Sequence, residues 1–323
     1  MPERDDERWM AAAIALASRG RGVTTPNPNV GCVLVRDGIV VGRGWTQPGG
    51  RPHAEAMALM QAGDQARGAT AYVTLEPCAH MSERGPACAD AVIAAGVARV
   101  VAATDDPDTR TAGAGLARMA AAGIAVTRNV LSAEARAAMA GWWARITLGR
   151  AQVTLKLATS LDGCIAMATG ESRWITGDRA RAHAHLVRAR SDAILVGRGT
   201  WETDTPTLDV RLPGLEARRP QILVLSGSSV DARAVASPQA AVALPQVNDL
   251  LVEGGAQTAA AFLKAGLVDM LMLYRAPILI GAGRAALGDI GLGALGDAHG
   301  RWRLADMAML GQDRVETYQR SED

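Results

Sequence analysis

The stretch His53-Ala54-Glu55 is followed by Pro77-Cys78 and, after nine further residues, by Cys88. One imidazole and two thiolates form a ligand set that suits zinc and leaves a fourth coordination position open for water. Glu55, two residues after the histidine, is placed to reach that water without binding the metal. An activated water beside a glutamate acid/base can displace an exocyclic amine from a pyrimidine or purine. These residues therefore predict a zinc-dependent deaminase.

The spacing of the ligands leaves a structural role open. The general pattern of zinc deaminases has two residues between its cysteines, whereas nine separate Cys78 from Cys88. A histidine near a cysteine pair can also be structural, but a structural zinc site uses four protein ligands and only three are evident. His-x-Glu and Pro-Cys each stand at the predicted start of a helix, where the helix dipole favours the thiolates. We therefore favour the catalytic interpretation.

The composition predicts two domains and no nucleic-acid partner. A chain of 323 residues exceeds one typical domain, and 49% hydrophobic residues can form sizeable cores although aromatic residues reach only 3%. The formal net charge is +1 and no cluster of basic residues stands out, which argues against nucleic acid. The charged N-terminus lacks the apolar core of a signal peptide, and no apolar run reaches the length of a membrane span. We expect a cytoplasmic protein with reduced cysteines.

Apolar spacing in the first half predicts strands that alternate with helices. The predicted helices are 5–19, 53–62, 88–95 and 115–122, and the predicted strands are 30–35, 39–44, 71–75, 99–103 and 124–127. Asp37-Gly38 joins the first two strands as a hairpin. Such alternation is typical of an α/β layer. An alanine-rich helical segment at 131–150 interrupts it and predicts a boundary near Gly149, between domains 1–148 and 149–323.

The alternation resumes after this boundary. The predicted strands are 152–158, 192–196, 221–225, 249–252 and 270–274, and the predicted helices are 178–190 and 255–265. No G-x-G-x-x-G run follows a strand into a helix, so a Rossmann dinucleotide site is not supported. Glycines do follow three strands, at Gly197, Gly254-Gly255 and Gly281, where backbone amides can approach a phosphate. Because glycine after a strand is usually only a turn, these residues alone leave the function of the second domain open.

Several longer motifs run nearly from end to end of the chain. In the first half they are Pro26-Asn27-Pro28-Asn29-Val30-Gly31-Cys32, His53-Ala54-Glu55, Thr74-Leu75-Glu76-Pro77-Cys78-Ala79-His80 and Ala103-Thr104-Asp105-Asp106-Pro107. In the second half they are Lys156-Leu157-Ala158-Thr159-Ser160-Leu161-Asp162-Gly163, Gly170-Glu171-Ser172-Arg173-Trp174-Ile175-Thr176-Gly177 and Asp192-Ala193-Ile194-Leu195-Val196-Gly197. Together and in this order they resemble the bifunctional deaminase–reductase family of riboflavin biosynthesis.

The resemblance implies an α/β protein with an N-terminal cytidine-deaminase-like domain and a C-terminal dihydrofolate-reductase-like domain. The first would remove an amine from a diaminopyrimidinone that bears a ribosyl phosphate. The second would reduce the ribosyl group to a ribityl chain with NADPH. The implied cofactors are Zn²⁺ and NADPH, and the implied partner is this small-molecule substrate rather than a nucleic acid or a membrane. We also expect a homo-oligomer.

The resemblance also assigns roles to single residues. It implies that His53, Cys78 and Cys88 bind zinc and that Glu55 moves protons. The residues that would contact substrate are Asn27 in the first domain and Ser172, Arg188, Leu208, Arg211 and Glu253 in the second. Those that would hold NADPH or surround the hydride-transfer site are Ala158, Trp174, Thr200, Asp204, Ser226 and Gly255. Arg188 and Arg211 could clamp a phosphate through charged hydrogen bonds, and Asp204 is a candidate catalytic group that would orient or protonate the opening ribose.

The chain departs from the family in the deaminase half. Thr46 stands where the family usually has a substrate-contacting histidine, and the loop from His80 to Cys88 is one residue longer. We expect the missing histidine to weaken substrate binding and Arg84, the cation of this loop, to reach the substrate phosphate. A paralogue with the same two reactions on another amino-pyrimidine or pterin-like substrate therefore stays open. A nucleic-acid deaminase is disfavoured, since the chain has three Tyr, one Phe and a balanced charge.

Overall fold

The computed structural model describes residues 2–80, 85–228 and 231–321. The chain divides into two compact units, Met1–Gly149 and Arg150–Asp323, called unit 1 and unit 2 below. Each unit is an α/β structure with its own buried apolar core. No helix among the described residues is long and apolar enough to cross a lipid bilayer.

Unit 1 is a five-stranded mixed sheet with helices packed against it. Its strands are β1 (Gly31–Arg36), β2 (Ile39–Trp45), β3 (Thr70–Val73), β4 (Arg99–Ala102) and β5 (Ala125–Arg128). Its helices are α1 (Pro2–Ala17), α2 (Ala54–Ala62), α3 (Cys88–Ala94), α4 (Ala114–Ala121), α5 (Ser132–Ala138) and α6 (Ala140–Leu148). The order across the sheet is β2-β1-β3-β4-β5, with β1 antiparallel to both neighbours and β3, β4 and β5 parallel. The loops after β3 and β4, which carry Cys78 and Asp106, therefore leave the same edge of the sheet.

Glycines in β2 let helix α2 lie directly on the sheet. A Cβ atom at Gly44 would stand 2.1 Å from the carbonyl oxygen of Ala54, and one at Gly42 would stand 2.2 Å from that of Ala58. Since no side chain fits at either position, the backbone of α2 rests against β2. This close packing fixes the first turn of α2, which carries Glu55, relative to the sheet.

Unit 2 is built around an eight-stranded sheet of order β10-β9-β8-β11-β6-β12-β15-β14. Its strands are β6 (Gln152–Thr159), β7 (Cys164–Ala166), β8 (Ala193–Gly197), β9 (Gln221–Leu225), β10 (Ala234–Val235), β11 (Asp249–Val252), β12 (Met270–Arg275), β13 (Arg284–Ala285), β14 (Trp302–Leu310) and β15 (Asp313–Arg320). Its helices are α7 (Asp178–Ala189), α8 (Arg198–Asp204), α9 (Pro238–Val242) and α10 (Ala256–Lys264). In the large sheet β15 runs antiparallel to both of its neighbours, β12 and β14, and the other pairs of neighbouring strands among the described residues are parallel. Strands β7 and β13 form a separate pair.

The structure differs from the sequence predictions at several elements. The single helical segment predicted at 131–150 is two helices, because Met139 leaves the helical conformation (φ −118°, ψ 28°). The prediction that Cys78 begins a helix is wrong, because this residue lies in the loop after β3. Elements β7, β10, β13, β14, β15, α8 and α9 have no counterpart in the predictions.

Candidate active sites

The three residues expected to bind zinc come together in unit 1. The donor atoms of His53, Cys78 and Cys88 all lie within 4.8 Å of one another. The His53 Nδ1 atom is 3.2 Å from Cys88 Sγ and 3.7 Å from Cys78 Sγ. Within the described part of the chain, no fourth His, Cys, Asp or Glu joins this group. Two sulfurs and one nitrogen in this arrangement fit a zinc ion with one coordination position left for water.

Each ligand is held by a different part of the backbone. His53 is the N-cap residue of α2, and Cys88 is the first residue of α3. Cys78 approaches α3 from the loop after β3. The Cys88 backbone N–H donates to the Cys78 sulfur at 3.3 Å, and the Ala89 N–H donates to the Cys78 carbonyl oxygen at 3.2 Å. The free amides at the start of α3 therefore fix the Cys78 loop against the helix.

The surroundings of Cys78 favour its thiolate. Hydrogen bonds from the Cys88 thiol, His53 and the Cys88 backbone lower the pKa of Cys78 to about 4, against the burial that would raise it. The hydrogen bond to Cys78, together with burial, raises the pKa of Cys88 well above its usual value. Without a metal, the site thus favours one thiolate and one thiol. A dication bound here would stabilise both thiolates at once, which again fits zinc.

Glu55 lies beside the ligands, in the first turn of α2, and only 4% of its surface is exposed. Burial raises the pKa of its carboxyl to about 6, against the charge of His53 and the interaction with the Cys88 side chain, which lower it. The main influences on this pKa, after burial, are His53, Cys78 and Cys88. A carboxyl with a pKa near neutrality can both accept and release a proton under ordinary conditions.

The other residues expected to contact the deaminase substrate differ in position. The Asn27 Nδ2 atom lies 3.4 Å from His53 Nε2, so this side chain borders the ligand cluster. Thr46 is buried, and its hydroxyl accepts a hydrogen bond from the Val30 N–H at 2.9 Å. The Thr46 hydroxyl is thus engaged with the backbone, and the expectation that the missing histidine weakens substrate binding stays a prediction. The expectation that Arg84 reaches the substrate phosphate falls outside the described residues.

Glu76, to which sequence reasoning assigns no role, organises the region next to Cys78. Its side chain is 2% exposed. Its two carboxylate oxygens accept hydrogen bonds at 2.8–3.2 Å from the backbone N–H groups of Asp106, Gly113, Gly115 and Leu116. The loop after β4 and the start of α4 are thereby tied to the Cys78 loop. The signal that could have revealed Glu76 is a charged residue within three positions of the end of a buried strand and two residues before a metal ligand.

The residues expected to serve the reductase line three adjoining cavities of unit 2. The substrate-end cavity, of about 870 Å³, is lined by Trp174, Arg188, Leu208 and Arg211 among others. The middle cavity, of about 480 Å³, includes Glu253 and shares Ala158, Ser172 and Asp204 with the substrate-end cavity. The glycine-rich cavity, of about 770 Å³, includes Ser226 and shares Thr200 and Gly255 with the middle cavity. The shared walls make one continuous groove.

Glu253 is the charged centre of the middle cavity. Arg188 donates to its carboxylate through Nε at 2.6 Å and Nη2 at 3.0 Å, and Lys156 Nζ lies 3.6 Å away. The Glu253 side chain is 8% exposed. Burial alone would raise its pKa, but the charges of Lys156 and Arg188 lower it to about 2. Glu253 is therefore a fixed anion that holds two cations in position.

The two arginines expected to clamp a phosphate both have protein partners. Arg188 is held by Glu253, and Arg211 Nε donates to the Asp209 carboxylate at 3.0 Å. Arg211 also donates to the Thr207 hydroxyl at 2.9 Å. Both side chains still line the substrate-end cavity, so the phosphate clamp stays a prediction.

The glycine-rich cavity fits a dinucleotide. Its walls include the turns after β8, β9 and β11, which are the carboxyl ends of adjacent parallel strands, where open α/β sheets bind nucleotides. A Cβ atom at Gly197 would stand 2.2 Å from the Thr258 hydroxyl oxygen, and one at Gly254 would stand 2.4 Å from Thr258 Cβ. Glycine at both positions lets α10 pack closely behind the cavity. The free amides at the start of α10 and Arg284 offer donors for phosphate oxygens.

Two family models match the chain. The cytidine and deoxycytidylate deaminase zinc-binding region matches residues 3–104. The RibD C-terminal domain matches residues 151–244 and 239–315. Together with the ligand cluster of unit 1 and the groove of unit 2, these matches define a zinc-dependent deaminase joined to a reductase.

Whole proteins of the same organisation are similar along nearly the full chain. Riboflavin biosynthesis protein RibD of Escherichia coli (strain K12) is 41% identical, over 91% of this chain and 94% of that protein. The solved structure of Acinetobacter baumannii RibD gives a TM-score of 0.85 at 36% identity and covers 99% of this chain and 100% of that one. A deaminase/reductase structure from Thermotoga maritima gives 0.87 at 28% identity, with 99% and 100% covered.

The chain belongs to the RibD family. It is a bifunctional deaminase and reductase of riboflavin biosynthesis that uses Zn²⁺ and NADPH. The predicted fold class, family and pair of activities are confirmed by these findings.

Proposed function

We propose that unit 1 deaminates 2,5-diamino-6-(5-phosphoribosylamino)pyrimidin-4(3H)-one and that unit 2 reduces the ribosyl group of the product to ribityl. The observation that carries this proposal is the buried carboxyl of Glu55 next to the cluster of His53, Cys78 and Cys88. The similar Thermotoga maritima protein is named a diaminohydroxyphosphoribosylaminopyrimidine deaminase/5-amino-6-(5-phosphoribosylamino)uracil reductase.

In unit 1 we assign His53 Nδ1 and the sulfurs of Cys78 and Cys88 to Zn²⁺. When bound, the ion would supply an acidified water to this site. Glu55 would accept a proton from such a water and deliver it to the departing amine, a role that suits a carboxyl with a pKa of about 6. Asn27, beside His53, contacts the pyrimidine ring.

In unit 2 we assign the glycine-rich and middle cavities to NADPH, which supplies a hydride when bound. Thr200 and Gly255 line both of these cavities, Ser226 lines the glycine-rich one, and Ala158 and Trp174 border the substrate-end cavity. These residues contact the nucleotide or surround the site of hydride transfer.

The sugar phosphate occupies the substrate-end cavity, against Ser172, Leu208 and Arg211. Asp204 lines this cavity and the middle cavity, so its carboxyl can orient the opening ribose where the hydride arrives. The hydrogen bonds from Arg188 to Glu253 hold the Arg188 side chain where the substrate-end and middle cavities meet.

This assignment divides the chain into a deaminase domain at 1–148 and a reductase domain at 149–323. We propose a cytoplasmic location, since two thiolate ligands require reducing surroundings. We also propose a homo-oligomer. It is supported by β14 at the edge of the large sheet, where Leu304, Met307 and Met309 are each at least half exposed. An apolar edge strand of this kind is a surface on which a second chain can pair.

The test is product analysis by mass spectrometry after incubation of the purified protein with the diaminopyrimidinone ribosyl phosphate. Without NADPH we expect the deaminated ribosyl compound alone, and with NADPH the ribityl product. Asp204→Asn should accumulate the deaminated compound while ammonia release stays at the wild-type rate. If the zinc-loaded protein leaves this substrate unchanged but deaminates another amino-pyrimidine or a pterin, the substrate assignment is wrong.

A further inference from the structure

One basic side chain lies at the end of the groove that is remote from the substrate. Arg198 and Arg284 line the glycine-rich cavity, and among its described lining residues there is no Asp or Glu. Arg284 also lines the middle cavity, whereas Arg198 does not. Because the hydride must reach the ribose near the substrate-end cavity, the adenosine half of the nucleotide has to extend the other way, toward Arg198.

Arg198 is cross-linked to the opposite wall of this cavity. It is the first residue of α8 and half exposed, and its Nη1 donates to the Ser228 hydroxyl at 2.9 Å. Ser228 stands in the turn after β9, where its carbonyl oxygen accepts from the Ser226 hydroxyl at 2.7 Å. A guanidinium and a hydroxyl thus stand side by side, with the turn held in shape by Ser226.

We propose that Arg198 and the Ser228 hydroxyl bind the adenosine 2′-phosphate of NADPH and so select this nucleotide over NADH; the inference rests on the proposed reductase function of unit 2. A guanidinium can donate two parallel hydrogen bonds to a phosphate, and the hydroxyl adds a third. Selection of NADH generally uses a carboxylate that accepts from the free 2′-hydroxyl and would repel a phosphate, whereas an arginine accommodates the phosphate. The described lining of the glycine-rich cavity has arginine and no carboxylate, as expected for a site that binds the 2′-phosphate.

Glu202, which pairs with Arg198, offers a second variant that tests this proposal. Its carboxylate accepts from Arg198 Nε at 2.7 Å, and it would carry a charge of the same sign as the phosphate. Glu202→Gln keeps an acceptor for Nε but removes that charge. NADPH affinity should therefore rise a few-fold while NADH affinity stays unchanged. A misfolded protein cannot produce such a gain.

Isothermal titration calorimetry of the full chain with NADPH and with NADH, without substrate, tests the proposal. Wild-type protein should bind NADPH more tightly. Arg198→Ala should lose roughly 10- to 100-fold in NADPH affinity, the worth of charged hydrogen bonds, and nothing in NADH affinity. Arg198→Lys should fall between the two. Arg233→Ala is the matched control, because Arg233 stacks on Trp201 of the same helix and does not line the cavity.

The outcomes separate this inference from the function on which it rests. If Arg198→Ala weakens both nucleotides equally, or leaves NADPH binding unchanged, Arg198 does not read the 2′-phosphate, and unit 2 can still be the reductase. If wild-type protein binds neither nucleotide, the reductase assignment of unit 2 is wrong and the inference is overturned with it.

Discussion

Each unit buries one glutamate at the centre of its site, yet the two carboxyls have opposite chemistry. Glu55 and the side chain of Glu253 are both less than a tenth exposed. Glu55 faces two cysteines and a histidine, and burial raises its pKa to about 6. Burial would raise the pKa of Glu253 too, but Lys156 and Arg188 lower it to about 2. Neighbouring charges, rather than burial, decide the difference.

The difference matches the work of the two sites. Deamination needs a group that takes a proton from water and returns it to the leaving amine, so a carboxyl near neutrality is suitable. Reduction draws its hydride from NADPH, and a permanently charged Glu253 serves there to hold two cations in place. Replacing the charged neighbours of either carboxyl should therefore impair its site more than a change in its burial would.

The largest expected effect is on Glu55. Glu55→Gln keeps the shape of the side chain but cannot carry a proton, so deamination should fall about 10²–10⁴-fold in steady-state assays. Metal analysis should still give about one zinc per chain, because Glu55 is not one of the three ligands. Cys88→Ser should lose the metal, while Cys164→Ser, which changes a buried thiol of unit 2, should keep it. A Glu55→Gln protein without zinc would show that the carboxyl is structural.

The next largest effect is the loss of stability of unit 2 when the fixed anion Glu253 is removed. Glu253→Gln leaves Arg188 and Lys156 as uncompensated cations, which should cost about 3–5 kcal/mol. Hydrogen exchange of the β8 and β11 amides under denaturant measures this cost locally. Asp289→Asn removes an exposed acid paired with Lys264 and should leave the stability of unit 2 essentially unchanged, because exposed ion pairs contribute little. A loss below about 1 kcal/mol for Glu253→Gln would mean that water solvates the two cations. Glu253 would then not be needed as a fixed anion, in contradiction to the contrast with Glu55.

Glu76 extends the comparison to a buried carboxylate held by backbone amides alone. Glu76→Gln presents an NH₂ group to amides that need an acceptor, so unit 1 should lose about 1–3 kcal/mol. The Cys78 loop should loosen, and zinc should be lost to a chelator faster than from wild-type protein. Glu134→Gln, an exposed change in the first turn of α5, is the control and should leave zinc release unaltered. Unchanged release in Glu76→Gln would show that the loop does not depend on this carboxylate.

The smallest effect concerns Asp106, whose pKa burial raises from 3.8 to about 6. Because the folded state holds this proton more tightly, the group stabilises unit 1 fully below about pH 4, and the contribution is lost as the pH rises through 6. Asp106→Asn stays neutral and can still accept from the Asp108 N–H. It should therefore gain roughly 1–2 kcal/mol over wild type between pH 4.5 and 7, within the ~1.4 kcal/mol per pKa unit that linkage allows. Urea unfolding of unit 1 measures the free energy of unfolding of the variant and of wild type at both pH values. An equal difference between the two proteins at both pH values would exclude a raised pKa of Asp106.

The sequence predicts the fold class and the zinc cluster because both rest on local patterns. Alternating apolar segments mark most strands and helices of the two sheets, and short motifs carry His53, Glu55, Cys78 and Cys88. Pro77 before Cys78 resembles a helix start, but the chain continues as a loop to α3, so this detail is wrong. Strand β14 escapes prediction because neither of its faces is buried, which removes the alternation that marks a strand.

The electrostatic contrast between the units could not be predicted from such patterns. The pair of Arg188 and Glu253 joins residues 65 positions apart, one on α7 and one after β11. No local pattern states which arginine faces which acid, so sequence reasoning assigned both to the substrate. The buried hydrogen bonds of Thr46 and Glu76 are of the same kind, since each joins a side chain to backbone that only the folded sheet brings near.

The most direct measurement is a pair of single-step assays on zinc-loaded Glu55→Gln protein. With the diaminopyrimidinone ribosyl phosphate, ammonia release should be at least about 10²-fold slower than in wild type. With the deaminated compound and NADPH, nucleotide oxidation should proceed at the wild-type rate. Wild-type ammonia release, or loss of both activities in the folded variant, would contradict the roles of Glu55 as the proton carrier of unit 1 and of unit 2 as the independent reductase.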